Sequence, residues 1–239
     1  MIVAIDGPAG AGKSTISRLI AARYGWAYLD TGAMYRTVTL MALRQGIDVS
    51  DGERLGALSQ SLDIEFEPGP EGVPRVFVAG KEITEEIRRQ DVSHNVSEVS
   101  AHSQVREAMV EKQRRLTAAG DAVADGRDIG TVVCPGAEVK VFLTASIPER
   151  SRRRRLELEG KDITVTQEQM EAEITARDDY DSSREVSPLK AAPDAVTLDT
   201  TDLSIEEVVE KVAVIIDDKV SLPTKNEDTR NSLPLEGEG

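Results

Sequence analysis

The sequence has little of what covalent cross-links and membrane spans require. A single cysteine, Cys134, stands among 239 residues and cannot form an internal disulfide, which is typical of a reducing compartment. The longest apolar stretches, such as Val212 to Ile216, fall far short of the roughly 20 residues that cross a bilayer. Met1 leads directly into a strand-like run rather than a leader segment. We therefore expect a cytoplasmic protein that neither enters a membrane nor is secreted.

Aromatic residues and histidines are also scarce. Phe, Trp and Tyr make up 3% of the chain, so the core must be built mainly from Ala, Val, Ile and Leu. The two histidines, His94 and His102, stand alone in the sequence and are typical of ordinary helix-surface residues. The sequence therefore offers no Ser-His-Asp set, and any catalysis must depend on other residue types.

Basic residues are outnumbered by acidic ones. The chain has 43 Asp and Glu residues against 29 Lys and Arg residues, which gives a formal net charge of −14. A surface of this charge repels a nucleic-acid duplex, so we expect no nucleic-acid partner. A small anionic ligand is not excluded, because local fields can oppose the net charge. The densest basic cluster is Arg150-Ser-Arg-Arg-Arg-Arg155, with five arginines in six residues.

Apolar periodicity predicts strands that alternate with helices. Short, almost continuous apolar runs predict buried strands at Met1–Asp6, Ala27–Asp30, Ala122–Asp125, Val139–Thr144 and Ala195–Asp199. Helical spacing predicts helices between Ser14 and Gly25, at Thr31–Gln45, Pro148–Glu159, Thr166–Asp179 and Ser204–Asp217, and two more between Val92 and Leu116. Strands and helices in this order predict an α/β fold with a five-stranded parallel sheet.

Between about Ser50 and Asp91 the pattern changes to that of a small inserted β subdomain. Residues Asp63–Glu67 alternate like a half-exposed strand, and a β-hairpin is predicted from Arg75–Val78 and Lys81–Thr84. The last segment, Ser221–Gly239, is polar and aperiodic, so we expect it to be disordered. Such a tail could equally be a tether to a further module.

A phosphate-binding loop follows the first predicted strand. The segment Gly7-Pro-Ala-Gly-Ala-Gly-Lys-Ser14 matches the pattern G-x-x-x-x-G-K-[ST] between a strand and a helix, as the motif requires. Its backbone N–H groups can turn around phosphate oxygens at a helix N-terminus. Lys13 would supply charge to the β and γ phosphates, Ser14 a hydroxyl to Mg²⁺, and Thr15 a contact to the α phosphate. The candidate nucleotide ligands are Gly7, Pro8, Ala9, Gly10, Ala11, Gly12, Lys13, Ser14 and Thr15.

This loop identifies only the phosphate donor, since GTPases, motor ATPases and small-molecule kinases share it. A kinase must also hold a second substrate in line with the γ phosphate and stabilise the charge on the transferring group. When the acceptor is itself a phosphate, its oxygen is already anionic and needs no general base. The pattern then expected is a set of arginines, which the rest of the chain supplies.

Three further segments follow the loop in order. They are Leu29-Asp-Thr-Gly-Ala-Met-Tyr-Arg36, Ala124-Asp-Gly-Arg-Asp-Ile-Gly130 and Arg177-Asp-Asp-Tyr-Asp-Ser-Ser-Arg184. With the loop, they make the chain resemble the bacterial cytidylate kinases from Met1 to about Asp217, and the insertion falls where that family carries an enlarged monophosphate-binding segment. The resemblance implies a doubly wound P-loop kinase fold with helices on both faces of the sheet. It also implies a monomer that transfers the γ phosphate of ATP to CMP or dCMP with Mg²⁺.

By the same resemblance, these segments bind the acceptor. Thr31 would lie near the sugar, while Arg36 and Arg127 would grip the acceptor phosphate. Arg177 would lie close to the phosphates, and Asp181, four residues further along, would accept hydrogen bonds from the ribose hydroxyls. The two would share one helical face if the predicted helix continues that far. From the residues alone, a helix cap and structural or exposed ion pairs remain alternative interpretations.

The base would be selected by the signs of its hydrogen-bonding groups. Cytosine has an N4 donor beside the N3 and O2 acceptors. Uracil has an acceptor oxygen at position 4 and an N–H donor at N3, so these two groups exchange their hydrogen-bonding roles. The resemblance assigns Asp128 and Ser97 as acceptors and Arg106 and Arg184 as donors, a set that should penalise UMP through unpaired polar groups. Taken alone, Ser97 and Arg106 are typical of solvated helix positions.

The arginine-rich segment is interpreted as a lid over ATP. Five clustered arginines in so acidic a chain repel one another unless an anion is bound. Helices joined at Gly160-Lys-Asp162 could close over the phosphates and exclude water. The resemblance favours Arg150 and Arg154, one turn apart, as the inward-facing pair, although the run permits other choices. The expected catalytic set is Lys13, Arg127, Arg150, Arg154 and Arg177.

We expect residues 1–220 to form one kinase domain. Its core would comprise about residues 1–49, 92–149 and 186–220, with the monophosphate-binding insertion at about 50–91, the lid at about 150–185 and the tail at 221–239.

Two other kinds of function remain open. Another nucleoside-monophosphate kinase, or a kinase of small metabolites, would keep the loop and the lid but change the acceptor residues, and the long insertion argues against it. A nucleotide-dependent switch module would bind ATP or GTP without transferring phosphate. The sequence has no N-K-x-D guanine-binding motif and no evident switch loop, so we favour the kinase.

Overall fold

Five parallel strands form the centre of the protein in a computed structural model that describes residues 1–160 and 162–221. The strands are β1 (Ile2–Asp6), β2 (Ala27–Asp30), β6 (Ala122–Gly126), β7 (Val139–Thr144) and β8 (Val196–Asp199), numbered in chain order. Their order across the sheet is β2-β6-β1-β7-β8, and every neighbouring pair is parallel. The predicted α/β class and five-stranded parallel sheet are confirmed, and each strand boundary lies within one residue of its prediction.

Helices cover both faces of this sheet. On one face lie α1 (Lys13–Tyr24) and α8 (Ile205–Val220), whose apolar residues share a hydrophobic cluster with Val3 and Ile5 of β1. The other face holds α2 (Thr31–Arg44), α4 (Gln90–Val99) and α5 (Ser103–Thr117), in a second cluster that includes Ala4. Successive residues of β1 thus enter opposite layers, as the two-residue period of a strand requires. The sheet is doubly wound, as predicted.

The inserted segment contains a second, antiparallel sheet. Its strands β3 (Ile64–Glu67), β4 (Arg75–Val78) and β5 (Lys81–Glu82) are paired in that order, and the predicted hairpin is confirmed. Strand β5 ends two residues before the predicted Thr84, because the Thr84 hydroxyl accepts a hydrogen bond from the Val76 N–H over 2.9 Å. A side chain there replaces the next backbone partner of the ladder.

A helix, α3 (Gly52–Ser61), precedes this small sheet and was not part of the β-rich prediction. Asp51 caps its N-terminus by accepting from the Arg54 N–H over 3.0 Å. Leu55 and Leu58 are buried on the face that packs with α5. Their spacing of three residues, after an N-cap aspartate, is the signal that would have indicated this helix.

The arginine-rich segment forms two helices that pack against each other, α6 (Ile147–Glu159) and α7 (Gln167–Ser183). Helix α7 extends four residues beyond its predicted end, so Arg177 and Asp181 belong to one continuous helix and Arg184 follows it directly. Lys161, within the predicted break, and residues 222–239 of the predicted disordered tail lie outside the described residues. In the described ranges, we find no helix with the length and apolar character of a membrane span.

Candidate active site

The phosphate-binding loop leaves the carboxyl end of β1 and is shaped by its glycines. A Cβ on Gly7, whose φ is +149°, would lie 2.0 Å from the carbonyl oxygen of Leu143 in β7. Gly12 has a left-handed conformation and precedes α1 without a side-chain cap. The loop therefore lies directly against the neighbouring strand, and the first N–H groups of α1 are left without a capping side chain. This arrangement suits an anion at the helix N-terminus.

Lys13, the first residue of α1, is buried beneath this loop. Its Nζ donates to the carbonyl oxygen of Pro8 over 2.8 Å, and within the described ranges it forms no ion pair. Burial, followed by the positive charge of Arg127, lowers the pKa of Lys13 well below its usual range. A buried ammonium without a carboxylate partner would be stabilised by a phosphate.

A buried carboxylate, Asp125, is the last residue but one of β6 and lies beside the loop. Its Oδ2 accepts from the Ser14 hydroxyl over 3.1 Å, its Oδ1 accepts from the Tyr28 hydroxyl over 2.9 Å, and its backbone carbonyl accepts from Thr31 over 2.6 Å. Burial and the nearby carboxylate of Asp30 raise the pKa of Asp125 to about 7. The sequence analysis assigned no role to Asp125 or Tyr28, although an aspartate at the end of a buried strand is itself a signal.

A cavity of about 720 Å³ opens over the loop, and we call it the donor cavity. The loop forms its floor, and the helices α6, α7 and α8 contribute to its walls. Arg153 and Arg154 line it from α6 and Arg177 from α7. Thr200 lines it from the segment before α8, and Ile205 is the first residue of that helix. The cavity thus has the phosphate-binding loop on one side and a partly apolar wall on another.

Arg150 takes a position different from that of Arg154. It is buried outside the lining of the donor cavity, where its guanidinium donates to the carbonyl oxygens of Ala145 over 2.8 Å and of Ala9 over 3.0 Å. It also forms an ion pair with Asp178 of α7 over 2.6 Å. Arg150 therefore connects the backbone of the phosphate loop to α7 and does not point into the cavity.

The remaining arginines of α6 are compensated by glutamates of the same helix. Ion pairs join Arg152 and Arg153 to Glu149, Arg154 to Glu157, and Arg155 to Glu159. The two arginines beside Glu149 lower the pKa of its carboxyl to about 2. The expectation that this cluster requires a bound anion to offset its charge is therefore wrong. Arg153 is further held by the backbone and hydroxyl of Thr200, at 2.6 and 3.0 Å.

Three arginines lie where the donor cavity meets a smaller pocket. Arg36, Arg127 and Arg177 line both spaces. Burial and the neighbouring arginines lower the pKa of Arg177 to about 9 and of Arg36 to about 10. In the described part of the chain, the buried Nε of Arg177 has no hydrogen-bond partner. This excess of positive charge suits a phosphate at the junction.

The smaller space, of about 70 Å³, is the acceptor pocket, and its walls are paired side chains. Arg106 is bonded to Asp128, lies 5.4 Å above the ring of Tyr35, and donates to the carbonyl oxygen of Ser100 over 3.2 Å. These residues are buried. The structure therefore brings together the predicted base-reading residues Asp128 and Arg106 and adds Tyr35 and Ser100 to them.

Asp181 and its partners form the opposite wall of the acceptor pocket. Arg127 donates to Oδ2 of Asp181 over 3.0 Å, and Arg184 donates to Oδ1. Arg184 also contacts the Ser100 hydroxyl at 3.0 Å and the carbonyl oxygen of Ser97 at 3.3 Å. Ser97 thus contributes its backbone carbonyl to Arg184, and it is Ser100, three residues further along the chain, that lines the pocket.

Asp6, at the end of β1, links the phosphate loop to the segment that carries Arg127 and Asp128. Its two carboxylate oxygens accept from the backbone N–H groups of Ile129 and Gly130, each over 2.8 Å. Burial raises the pKa of Asp6 to about 6 in spite of these hydrogen bonds. No motif in the sequence singled out this residue.

Comparisons with known proteins give the family of the chain. A family model described as cytidylate kinase matches residues 3–218. A cytidylate kinase of Bacillus cytotoxicus is 51% identical over 214 residues, which cover 90% of this chain and 95% of that protein. Cytidylate kinases of Bacillus licheniformis and Limosilactobacillus reuteri are 48% and 51% identical, covering 92% and 90% of this chain and 97% and 94% of those proteins.

Among solved structures, a shikimate kinase from Bacteroides thetaiotaomicron is 13% identical with a TM-score of 0.46, and the match covers 91% of this chain and 98% of that one. A gluconokinase from Sinorhizobium meliloti is 14% identical with a TM-score of 0.46, covering 91% of both chains.

Proposed function

The chain belongs to the cytidylate kinase family, and on this premise we propose that it transfers the γ phosphate of ATP to CMP or dCMP, giving ADP and CDP or dCDP. The observation that supports this most directly is the position of Arg36, Arg127 and Arg177. They line both the donor cavity and the acceptor pocket, where a transferring phosphoryl group and an acceptor phosphate would meet.

The donor triphosphate would be bound mainly by backbone groups. The backbone N–H groups between Gly7 and Gly12, other than at Pro8, would surround the β and γ phosphates, and Lys13 would add one full charge below them. Ser14 and Thr15 follow on the first turn of α1. The partly apolar wall beside Thr200 and Ile205 would take the nucleoside part of ATP. Because most of these contacts are made by backbone atoms, they select for phosphate rather than for a particular base.

In-line transfer then requires that two anions approach each other. An oxygen of the acceptor phosphate is already ionised, so it can attack the γ phosphorus without a general base. Arg36 and Arg127 would hold the acceptor phosphate, and Arg177 and Arg154 would face the charge that spreads over the transferring group. Lys13 would stabilise the same charge from the opposite side. The role of these residues is to position the substrates and offset their charge.

A magnesium ion would be held by Ser14 and Asp125 together with the phosphates of the nucleotide. A hydroxyl and a buried carboxylate 3.1 Å apart at the edge of the loop fit the preference of Mg²⁺ for oxygen ligands. The described residues contain no group of three or more His, Cys, Asp or Glu side chains that could hold a metal without the nucleotide. When bound, Mg²⁺ neutralises negative charge on the β and γ phosphates.

Base and sugar would be selected in the acceptor pocket. Asp128 can accept from the N4 amino group of cytosine, while Arg106 and Arg184 can donate to N3 and O2. The carbonyl group of uracil in place of N4 would face a carboxylate, which leaves buried polar groups unpaired and penalises UMP. Asp181 can accept from a ribose hydroxyl, and Thr31 also lines the pocket. The predicted contact of Ser97 is proposed for its carbonyl group, with Ser100 supplying the hydroxyl.

We also propose that the protein acts as a cytoplasmic monomer with small-molecule substrates alone. The formal charge of −14 opposes association with nucleic acid, and the single cysteine is typical of a reducing compartment. Sedimentation analysis at several protein concentrations would test the oligomeric state.

A phosphate-transfer assay tests the proposed activity. The purified chain is mixed with Mg·ATP and with CMP, dCMP, UMP, AMP, GMP, dTMP or no acceptor, and ADP formation is followed. We expect rapid ADP formation with CMP and dCMP, a weak signal with the other acceptors, and none with the variant Lys13→Ala. Nucleoside diphosphate products should be identified by chromatography, so that transfer is separated from hydrolysis.

Each other outcome points to a different function. Transfer to a different acceptor would keep the kinase fold and reject the assignment of cytosine to Asp128. Hydrolysis without any acceptor, or nucleotide binding without turnover, would favour a nucleotide-dependent switch module.

A further inference from the structure

Tyr28 of β2 lies next to Asp125, outside the residues assigned above to the substrates. Strands β2 and β6 are parallel neighbours, and Asp30 is opposite Asp125 in their register. The Tyr28 hydroxyl donates to Oδ1 of Asp125 over 2.9 Å, while Oδ2 accepts from Ser14 over 3.1 Å. The carboxylate is therefore held on one side by the phosphate loop and on the other by β2.

The Tyr28 hydroxyl is the one group in the described part of the chain that donates to Oδ1 of Asp125. The carboxylate of Asp30 is a like charge that acts on Asp125. Asp30 is held in place because it accepts a hydrogen bond from the Ala33 N–H over 2.9 Å. Without the hydroxyl, a buried carboxylate oxygen would lose its partner and still face a like charge. Asp125 would then gain rotational freedom and would hold its position at Ser14 less firmly.

We propose that Tyr28 is a positioning residue for the divalent cation of the reaction. Its hydroxyl orients Asp125 so that Oδ2 stays at Ser14, where the cation would be held. The inference rests on the proposed function, because it takes Ser14 and Asp125 as the protein groups at the cation. Groups that hydrogen-bond to the ligands of a metal commonly change metal affinity by about 10- to 100-fold.

The chain contains a matched control for this hydrogen bond. Tyr24, at the end of α1, donates to Oδ1 of Asp217 over 2.7 Å and to the carbonyl oxygen of Ala213 over 3.3 Å. This is the same chemistry, a tyrosine hydroxyl on a carboxylate, but it joins α1 to α8 and has no contact with the phosphate loop. The variants Tyr28→Phe and Tyr24→Phe therefore each remove one hydroxyl and preserve the ring.

The test measures binding rather than turnover. Calorimetry gives the affinity of a non-hydrolysable ATP analogue for each protein, once with saturating MgCl₂ and once with EDTA, and the ratio of the two affinities reports the interaction with the cation. We expect Tyr28→Phe to reduce this ratio by about tenfold. Its affinity for the analogue in EDTA and its affinity for CMP should stay close to those of the wild type, whereas its Tm should fall by a few degrees because a buried oxygen of Asp125 loses its hydrogen bond. Tyr24→Phe should leave the ratio unchanged.

Three results would overturn the inference, and they are distinguishable. If the wild type gains affinity from Mg²⁺ and Tyr28→Phe gains as much, Tyr28 does not position the cation, although the proposed function stands. If Tyr28→Phe loses affinity for the analogue in EDTA and for CMP to the same degree, its role is structural. If the wild type gains nothing from Mg²⁺, the assignment of Ser14 and Asp125 fails as well, and the transfer assay decides whether the proposed function survives.

Discussion

The donor cavity and the acceptor pocket differ in the groups that line them. The donor cavity, of about 720 Å³, has a floor of backbone N–H groups shaped by glycines, with Lys13 as its single buried ammonium. The acceptor pocket, of about 70 Å³, has walls of paired arginines and carboxylates. Apart from proline, every residue carries the same backbone N–H and C=O groups, whereas side chains carry specific donors and acceptors. On the proposed function, the donor site would therefore recognise phosphate, and the acceptor site would distinguish bases.

This difference predicts which substitutions weaken ligand binding at each site. Backbone recognition tolerates many side chains but depends on the few positions where a Cβ does not fit, such as Gly7. Side-chain recognition in a buried network would lose more than one contact with each substitution, because Asp128 and Arg106 are also bonded to each other. The predictions below separate the two sites, beginning with the largest effect.

The largest effect is expected from Lys13→Met. The loss of the one ammonium under the loop should lower kcat for transfer by about 1,000-fold. The same change removes a buried charge that has no carboxylate partner, so the Tm should rise slightly. Steady-state kinetics and thermal unfolding check both statements.

Lys140 provides the control for this substitution. Like Lys13, it is buried and donates to the carbonyl oxygen of a proline five residues before it, in this case Pro135 over 2.6 Å. Unlike Lys13, it forms an ion pair with Asp194 and lines neither the donor cavity nor the acceptor pocket. Lys140→Met should keep transfer near the wild-type rate and lower the Tm. A Lys13→Met protein with near-normal kcat would contradict the assignment of the donor site.

The next effect is expected from Asp128→Ala. Removing the carboxylate leaves Arg106 buried without its partner and removes the proposed acceptor for N4 of cytosine. We expect kcat/KM for CMP to fall about 100-fold, and the preference for CMP over UMP to fall with it. Kinetics with both acceptors at saturating ATP give the two ratios. An unchanged preference in a folded, active variant would show that the base is selected elsewhere.

A smaller effect separates two neighbouring arginines of α6. Arg154 lines the donor cavity and Arg155 does not, although each forms an ion pair with a glutamate of the same helix. We expect Arg154→Met to lower kcat by about tenfold because one charge facing the transferring group is lost. Arg155→Met should stay within about twofold of the wild type, since exposed ion pairs contribute little. Equal effects of both substitutions would show that α6 acts through its overall charge.

The last prediction concerns stability, to which Asp6 gives a pH dependence. The pKa of this carboxyl is 3.8 in the unfolded chain and about 6 in the folded protein. Between about pH 4 and 6 the folded state therefore binds more protons, and stability decreases as the pH rises through this window. At about 1.4 kcal/mol for each pH unit, the change amounts to about 3 kcal/mol and ends above pH 6.

Chemical denaturation of the wild type and of Asp6→Asn at several pH values checks this prediction. Other titrating groups are common to both proteins, so the difference between their free energies of unfolding isolates Asp6. That difference should change across the window from pH 4 to 6 and stay constant from pH 7 to 8. A constant difference at every pH would mean that the folded-state pKa of Asp6 is near its ordinary value.

The sequence predicted those parts of the fold that depend on local pattern. Each strand of the central sheet is a short apolar run with turn residues at its end, so its bounds were accurate. The loop, Thr31, Arg36, Arg127 and Asp128 all follow strands, and parallel strands end at one edge of a sheet, so their convergence could also be expected. The overlooked helix α3 had a local signal in the spacing of Leu55 and Leu58.

Contacts between distant segments could not be predicted in the same way. The ion pair of Arg150 with Asp178 and the hydrogen bond of Tyr28 with Asp125 join positions far apart in the sequence. No spacing rule distinguishes Arg150, which contacts the loop backbone, from Arg154, which lines the cavity. That choice is made by the packing of α6 on α7 and on the phosphate loop, which only the tertiary structure shows.

The most direct test of this division between the two sites is a crossed binding measurement. Calorimetry gives the affinity of each variant, Lys13→Met and Asp128→Ala, for two ligands: CMP, and a non-hydrolysable ATP analogue with MgCl₂. The four affinities are compared with those of the wild type. We predict that Lys13→Met weakens only the analogue and that Asp128→Ala weakens only CMP. Comparable losses for both ligands in either variant would contradict the account, because donor and acceptor would then share one network rather than two sites of different construction.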